Sequence, residues 1–116
     1  MLTINLTQEE VEYIFNFTMY VVFNPNNGNE HPWMPVFEEQ LAKLFESNEY
    51  DWQNGYRLML NQEDAMCMLK DLREEVECRA DAVKHDAMNG LIQDNNYRME
   101  QIVIVSRMIY KLRCEL

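Results

Sequence analysis

The sequence predicts a mainly α protein, with about four helices packed against a small two-stranded antiparallel ribbon at residues 2–6 and 56–60. Two observations carry that expectation. A motif occurs twice at a constant offset of 54, as Ile4-Asn5-Leu6-Thr7-Gln8-Glu9-Glu10-Val11 and as Leu58-Met59-Leu60-Asn61-Gln62-Glu63-Asp64-Ala65. Each copy alternates apolar and polar residues, then places a capping residue, Gln and two carboxylates. A short strand running straight into a helix is written this way. The second observation is apolar spacing of three and four over long stretches without Gly or Pro. The two strands are expected to pair about a local twofold axis and to rest on the helices, since two strands alone are not stable.

The first strand covers residues 2–6, and the first helix runs from Gln8 to Phe23 with Thr7 and Glu10 as a capping box. Val11, Ile14, Phe15, Thr18 and Val22 form its expected core face. Tyr13, Phe17 and Tyr20 fall on the other side, so this helix is either sandwiched or shared with a second subunit. Residues 24–29, Asn-Pro-Asn-Asn-Gly-Asn, read as a loop. The second helix is expected from Pro35 to Ser47, with Phe37, Leu41, Leu44 and Phe45 buried. A turn-rich stretch at 48–55 leads to the second strand, Tyr56–Leu60.

The third helix is expected from Gln62 to Met88, ~40 Å long, with Ala65, Leu69, Leu72, Val76, Ala80, Val83 and Ala87 in one stripe. Asn89-Gly90 ends it. The fourth spans Asn95–Cys114. Its β-branched run Ile102–Val105 is compatible with a strand, but Ile102, Val105, Ile109, Leu112 and Leu116 keep helical spacing, so helix is preferred.

At 116 residues the chain is expected to be a single domain over residues 1–116, and a 47% hydrophobic content argues against disorder. Carboxylates near Met1, with no basic leader and no apolar run of ~20 residues, point to a cytoplasmic protein with neither signal peptide nor membrane span. The three cysteines, Cys67, Cys78 and Cys114, are an odd number without a Cys-x-x-Cys pair, which fits reduced thiols.

Charge is distributed unevenly. Residues 1–64 hold eleven carboxylates against Lys43 and Arg57, whereas residues 65–116 hold nine against eight basic side chains. Nearly all of the net charge of −10 therefore sits in the front half. Such a surface repels nucleic acid and attracts basic protein surfaces, although solubility alone is a sufficient reason for it.

Signatures of chemistry are sparse. Cys67, Asp71, Glu74, Cys78, Asp81 and His85 share one helix face, and Asp81 with His85 could hold a cation together. Along a straight helix they spread over ~27 Å, so a second packing face with solvated carboxylates between is the better reading. The carboxylate pairs at 9–10 and 63–64 serve helix starts. His31 sits in a loop suited to a catalytic base, yet no Ser or Cys partner follows from spacing, and three glycines provide no phosphate loop. Neither enzyme activity, nor a cofactor, nor a metal is expected.

What remains is an interaction surface. Aromatic and acidic residues alternate between positions 30 and 56, and Glu30, Trp33, Glu38, Glu39, Glu46, Glu49, Tyr50, Asp51 and Trp52 are the expected partner-binding residues, although Trp33 and Trp52 fit caps on the core between helices equally well. The expected partner is a protein with a basic, nucleic-acid-binding surface, occluded by a small acidic inhibitor of phage or mobile-element type. The alternative is a homodimer joined through the first and fourth helices, with Met99, Ile102, Val105, Met108, Ile109 and Leu112 as the seam.

Overall fold

A computed structural model describes residues 1–22, 31–47, 55–90 and 95–116, with the backbone alone at 19–22, 47 and 95. In chain order the elements are β1 (Leu2–Leu6), α1 (Gln8–Val22), α2 (Trp33–Ser47), β2 (Tyr56–Leu60), α3 (Gln62–Met88) and α4 (Asn95–Glu115). The β-branched run at 102–105 is helical, as its spacing implies. Phe23, expected to end α1, lies outside the described residues. Two boundaries move. The second helix opens two residues earlier than Pro35, which is tolerated because the first amides of a helix have no intrahelical acceptor. The fourth runs one residue further, to Glu115.

Strands β1 and β2 pair antiparallel, with Ile4 opposite Leu58, Leu2 opposite Leu60 and Leu6 opposite Tyr56. Ile4 and Leu58 are also equivalent positions of the repeat, so the local twofold passes through that pair. Helices α1 and α3 consequently leave opposite ends of the ribbon. Gly55, at φ +78°, precedes β2 where a Cβ would stand 2.3 Å from the Leu6 carbonyl oxygen, so the ribbon's end excludes a side chain there.

Both caps form as written. The Glu10 N–H donates to Thr7 Oγ1 at 3.3 Å and the Thr7 N–H to Glu10 Oε1 at 3.2 Å. Asn61 Oδ1 accepts from the Asp64 N–H at 2.7 Å.

The ribbon's inner face, Ile4, Leu6, Tyr56, Leu58 and Leu60, is buried on the helices. Its outer edges are met by side chains. Gln40 Nε2 donates to the Met59 carbonyl at 2.7 Å, and its Oε1 accepts from the Met59 N–H at 3.0 Å. Lys111 Nζ donates to the Asn5 carbonyl at 2.8 Å. An amide that both donates and accepts imitates one residue of a further strand.

Helix α1 is buried on two sides, through Val11, Ile14 and Thr18 on one and Tyr13 with the partly covered Phe17 on the other. Two expected core residues are corrected. Phe15 and Phe45 remain 45% and 48% exposed, lining an open groove with Val11 and Leu41 at the edge of the core. Helices α3 and α4 form an antiparallel hairpin, tied near its tip by the ion pair of Arg98 with Asp86. The buried residues of α3 are Ala65, Met68, Asp71 and Leu72, so its second half has none. Among the described residues no helix is long and apolar enough to cross a membrane.

Candidate functional site

The expected partner-binding segment divides sharply. Glu30, Glu49, Tyr50, Asp51 and Trp52 lie outside the described residues. Glu38, Glu39 and Glu46 are exposed along α2, with Lys43 Nζ 3.3 Å from Glu39. Trp33 requires correction: it is fully buried and cannot anchor a partner. Its indole N–H donates to Asp71 Oδ2 at 2.6 Å, and its ring stacks on Phe17 with centroids 6.2 Å apart and planes within 6°.

Asp71 corrects a second expectation, since it is buried rather than solvated. The same Oδ2 that receives the Trp33 indole also meets His31 Nδ1 at 2.5 Å, with Cys67 Sγ at 3.9 Å. A carboxylate on Nδ1 orients an imidazole as in a general base, but the nearby thiol is poorly placed to act with it. Burial, and then the Asp71 charge, push the Cys67 thiol up, away from the reactive thiolate. Oδ2 is already taken by two nitrogen donors, and the three side chains do not form a set able to hold a metal ion. The cluster pins the start of α2 to α3.

The expected self-association seam is corrected as well. Val105, Met108 and Leu112 are wholly buried in the chain's own core, and Ile102 and Ile109 are half-buried. Met99 alone of that set stays mainly exposed. Helical spacing identifies a stripe but cannot say whether α3 or a second subunit covers it.

A cleft of about 570 Å³ opens where α1, α3 and α4 meet. Glu9 and Glu12 line it from α1, Glu75 and Arg79 from α3, and Tyr97 and Gln101 from α4. At its floor the Tyr13 hydroxyl donates to Glu75 Oε2 at 3.0 Å and accepts from Arg79 Nε at 3.2 Å. The guanidinium of Arg79 also lies 5.4 Å from the Tyr13 ring centroid and pairs with Glu75 at 3.3 Å. Burial, then the Glu75 carboxylate, push Tyr13 up to about 12, with Arg79 opposing them. Arg79 is thus engaged at the floor, while Glu9, Glu12 and Tyr97 are exposed at the mouth. Sequence reasoning allows a pocket between the first and fourth helices but finds no polar signature for it, because the polar residues that line it come from 9–16, 75–79 and 97–101 and only folding joins them. Comparison of the chain with protein-family models, curated proteins and solved structures finds no match.

Proposed function

We propose that this chain is a non-enzymatic acidic protein-binding module. It docks on a basic, nucleic-acid-binding surface of a larger host or defence protein and occludes it, in the manner of a phage or mobile-element inhibitor. The observation that supports this reading best is the mouth of the α1–α3–α4 cleft. There Glu9 and Glu12 stand exposed beside Tyr97, itself 64% exposed. Two carboxylates near an aromatic face suit a Lys or Arg side chain, which gains ion pairing and a cation–π contact together. The exposed carboxylates of α2, Glu38, Glu39 and Glu46, extend the same sign of charge and steer a basic partner over a longer range.

The test is direct. Binding of an arginine-rich peptide is measured by calorimetry for the full chain at low and high salt, for E9K/E12K, and for Y97A. The reading expects binding that weakens with salt and falls about tenfold or more in both variants. Unchanged binding in E9K/E12K overturns the cleft as the docking point, and absence of binding at low salt overturns the function.

A further inference from the structure

Helix α3 carries a second face that the chain covers only in part. Glu75 and Arg79 mark the flank of α3 toward α1. At about 100° per residue, Leu69, Val76 and Val83 lie on the other side of the stripe that meets α4. They recur every seven residues and are half-buried, while Met66, Ala80 and Ala87 continue the same face exposed. Met66 keeps 56% of its surface open. With Arg73 these positions alternate in steps of three and four, the pattern of a coiled-coil seam. Leu69 and Val76 pack against the edge of the chain's own core, and beyond Leu72 α3 has no buried residue among the described residues, so the covering thins toward its C-terminal half.

A column of charges borders the seam: Glu63, Lys70, Glu77 and Lys84, seven residues apart, alternating in sign and all exposed. We propose that this face of α3 is the interface of a homodimer, formed by antiparallel packing of α3 on α3 of a second copy about a twofold axis near residues 73–76. In that arrangement Glu63 stands beside the partner's Lys84, and Lys70 beside the partner's Glu77. The twofold repeats both pairs. Parallel packing has no such complement, because the positions flanking the seam on its other side include the buried Ala65 and Leu72. Arg73, the polar member of the seam, has a stem to bury and a guanidinium that reaches the partner's Glu77.

Charge also favours a second copy as the occupant. The column of Glu63, Lys70, Glu77 and Lys84 sums to zero charge, so two copies of it meet without net repulsion. This dimer is independent of the proposed docking function, whose cleft lies on the opposite flank of the hairpin.

Sedimentation equilibrium of the full chain at tens of micromolar tests it, with far-UV circular dichroism confirming that each variant is folded. The wild type is expected at twice the 14.0 kDa chain mass. K70E/K84E, with four acidic residues in the column, and E63K/E77K, with four basic ones, are each expected as monomers. Mixed together they are expected to form the heterodimer. A80E, at a position exposed in the monomer, is expected to be monomeric, whereas Y97A in the cleft remains dimeric. A monomeric wild type, a dimeric A80E, or folded charge variants that fail to associate when mixed overturns the proposal.

Discussion

Lys111 Nζ lies 2.5 Å from Oε1 of Glu10, joining the last turns of α4 to the first turn of α1 across 101 residues of sequence. Glu10 is 1% exposed, which is unusual for a capping-box carboxylate. Its Oε1 serves the Thr7 N–H and the ammonium together, while Oε2 has no partner among the described residues.

Replacing Lys111 with Met is therefore expected to leave a buried carboxylate without its counter-charge. The loss should be about 3 kcal/mol in urea unfolding. Glu10→Gln keeps an oxygen for the cap and removes the charge, so it should cost less than Lys111→Met. An equal or larger loss in Glu10→Gln would show that the cap, and not the ion pair, dominates here.

Trp33 is a core residue, and its truncation should appear in stability. Trp33→Ala is expected to cost about 3–5 kcal/mol through lost packing. Asp71→Asn should cost about 1–3 kcal/mol by weakening the bonds from His31 and the indole. Trp33→Phe, which keeps the ring stacked on Phe17 but removes the donor, should fall below Trp33→Ala. Chemical denaturation of the three variants checks the order.

Tyr13 titrates near 12 in the folded chain against a normal value of 10.0. Its neutral form is favoured by folding, so its contribution to stability is complete below pH 10. That contribution falls as pH rises from about 10 to 12, because the unfolded chain loses its proton first. Stability measured through this window should decline less steeply in Tyr13→Phe than in the wild type. Parallel curves would place the shift elsewhere.

Cys67 is half-buried beside Asp71, whereas Cys78 and Cys114 are exposed. Two thiols are expected to react quickly with a disulfide reagent at pH 8, and a third slowly. Cys67→Ser should abolish the slow phase alone. If the fast amplitude falls instead, the thiol is more accessible than its surroundings imply.

The ribbon was legible because its signal is local and repeated. Equal spacing of two strand-cap-helix motifs implies equivalent halves, and Ile4 does sit opposite Leu58. The helices were legible from spacing, including the β-branched stretch of α4. The candidate site was much less so. Trp33 lies among polar and loop-forming residues, where local sequence fits an interface anchor and a core cap equally, and its indole is committed to Asp71, 38 residues away. Glu10 was read as a helix-start charge, which is correct, but its ammonium partner had no trace in local sequence.

By itself, the sequence determined which segments are helix and strand, where the caps fall, and that one half of the chain carries the net charge. These follow from backbone geometry, side-chain alternation and composition, which act over a few residues. Only the tertiary structure decided which apolar face of each helix is covered at home, and which carboxylates are buried with partners. It placed Val105, Met108 and Leu112 inside, and left Met66, Ala80 and Ala87 outside. Periodicity gives the direction of a side chain from its own helix axis, whereas burial depends on what the rest of the chain puts in front of it.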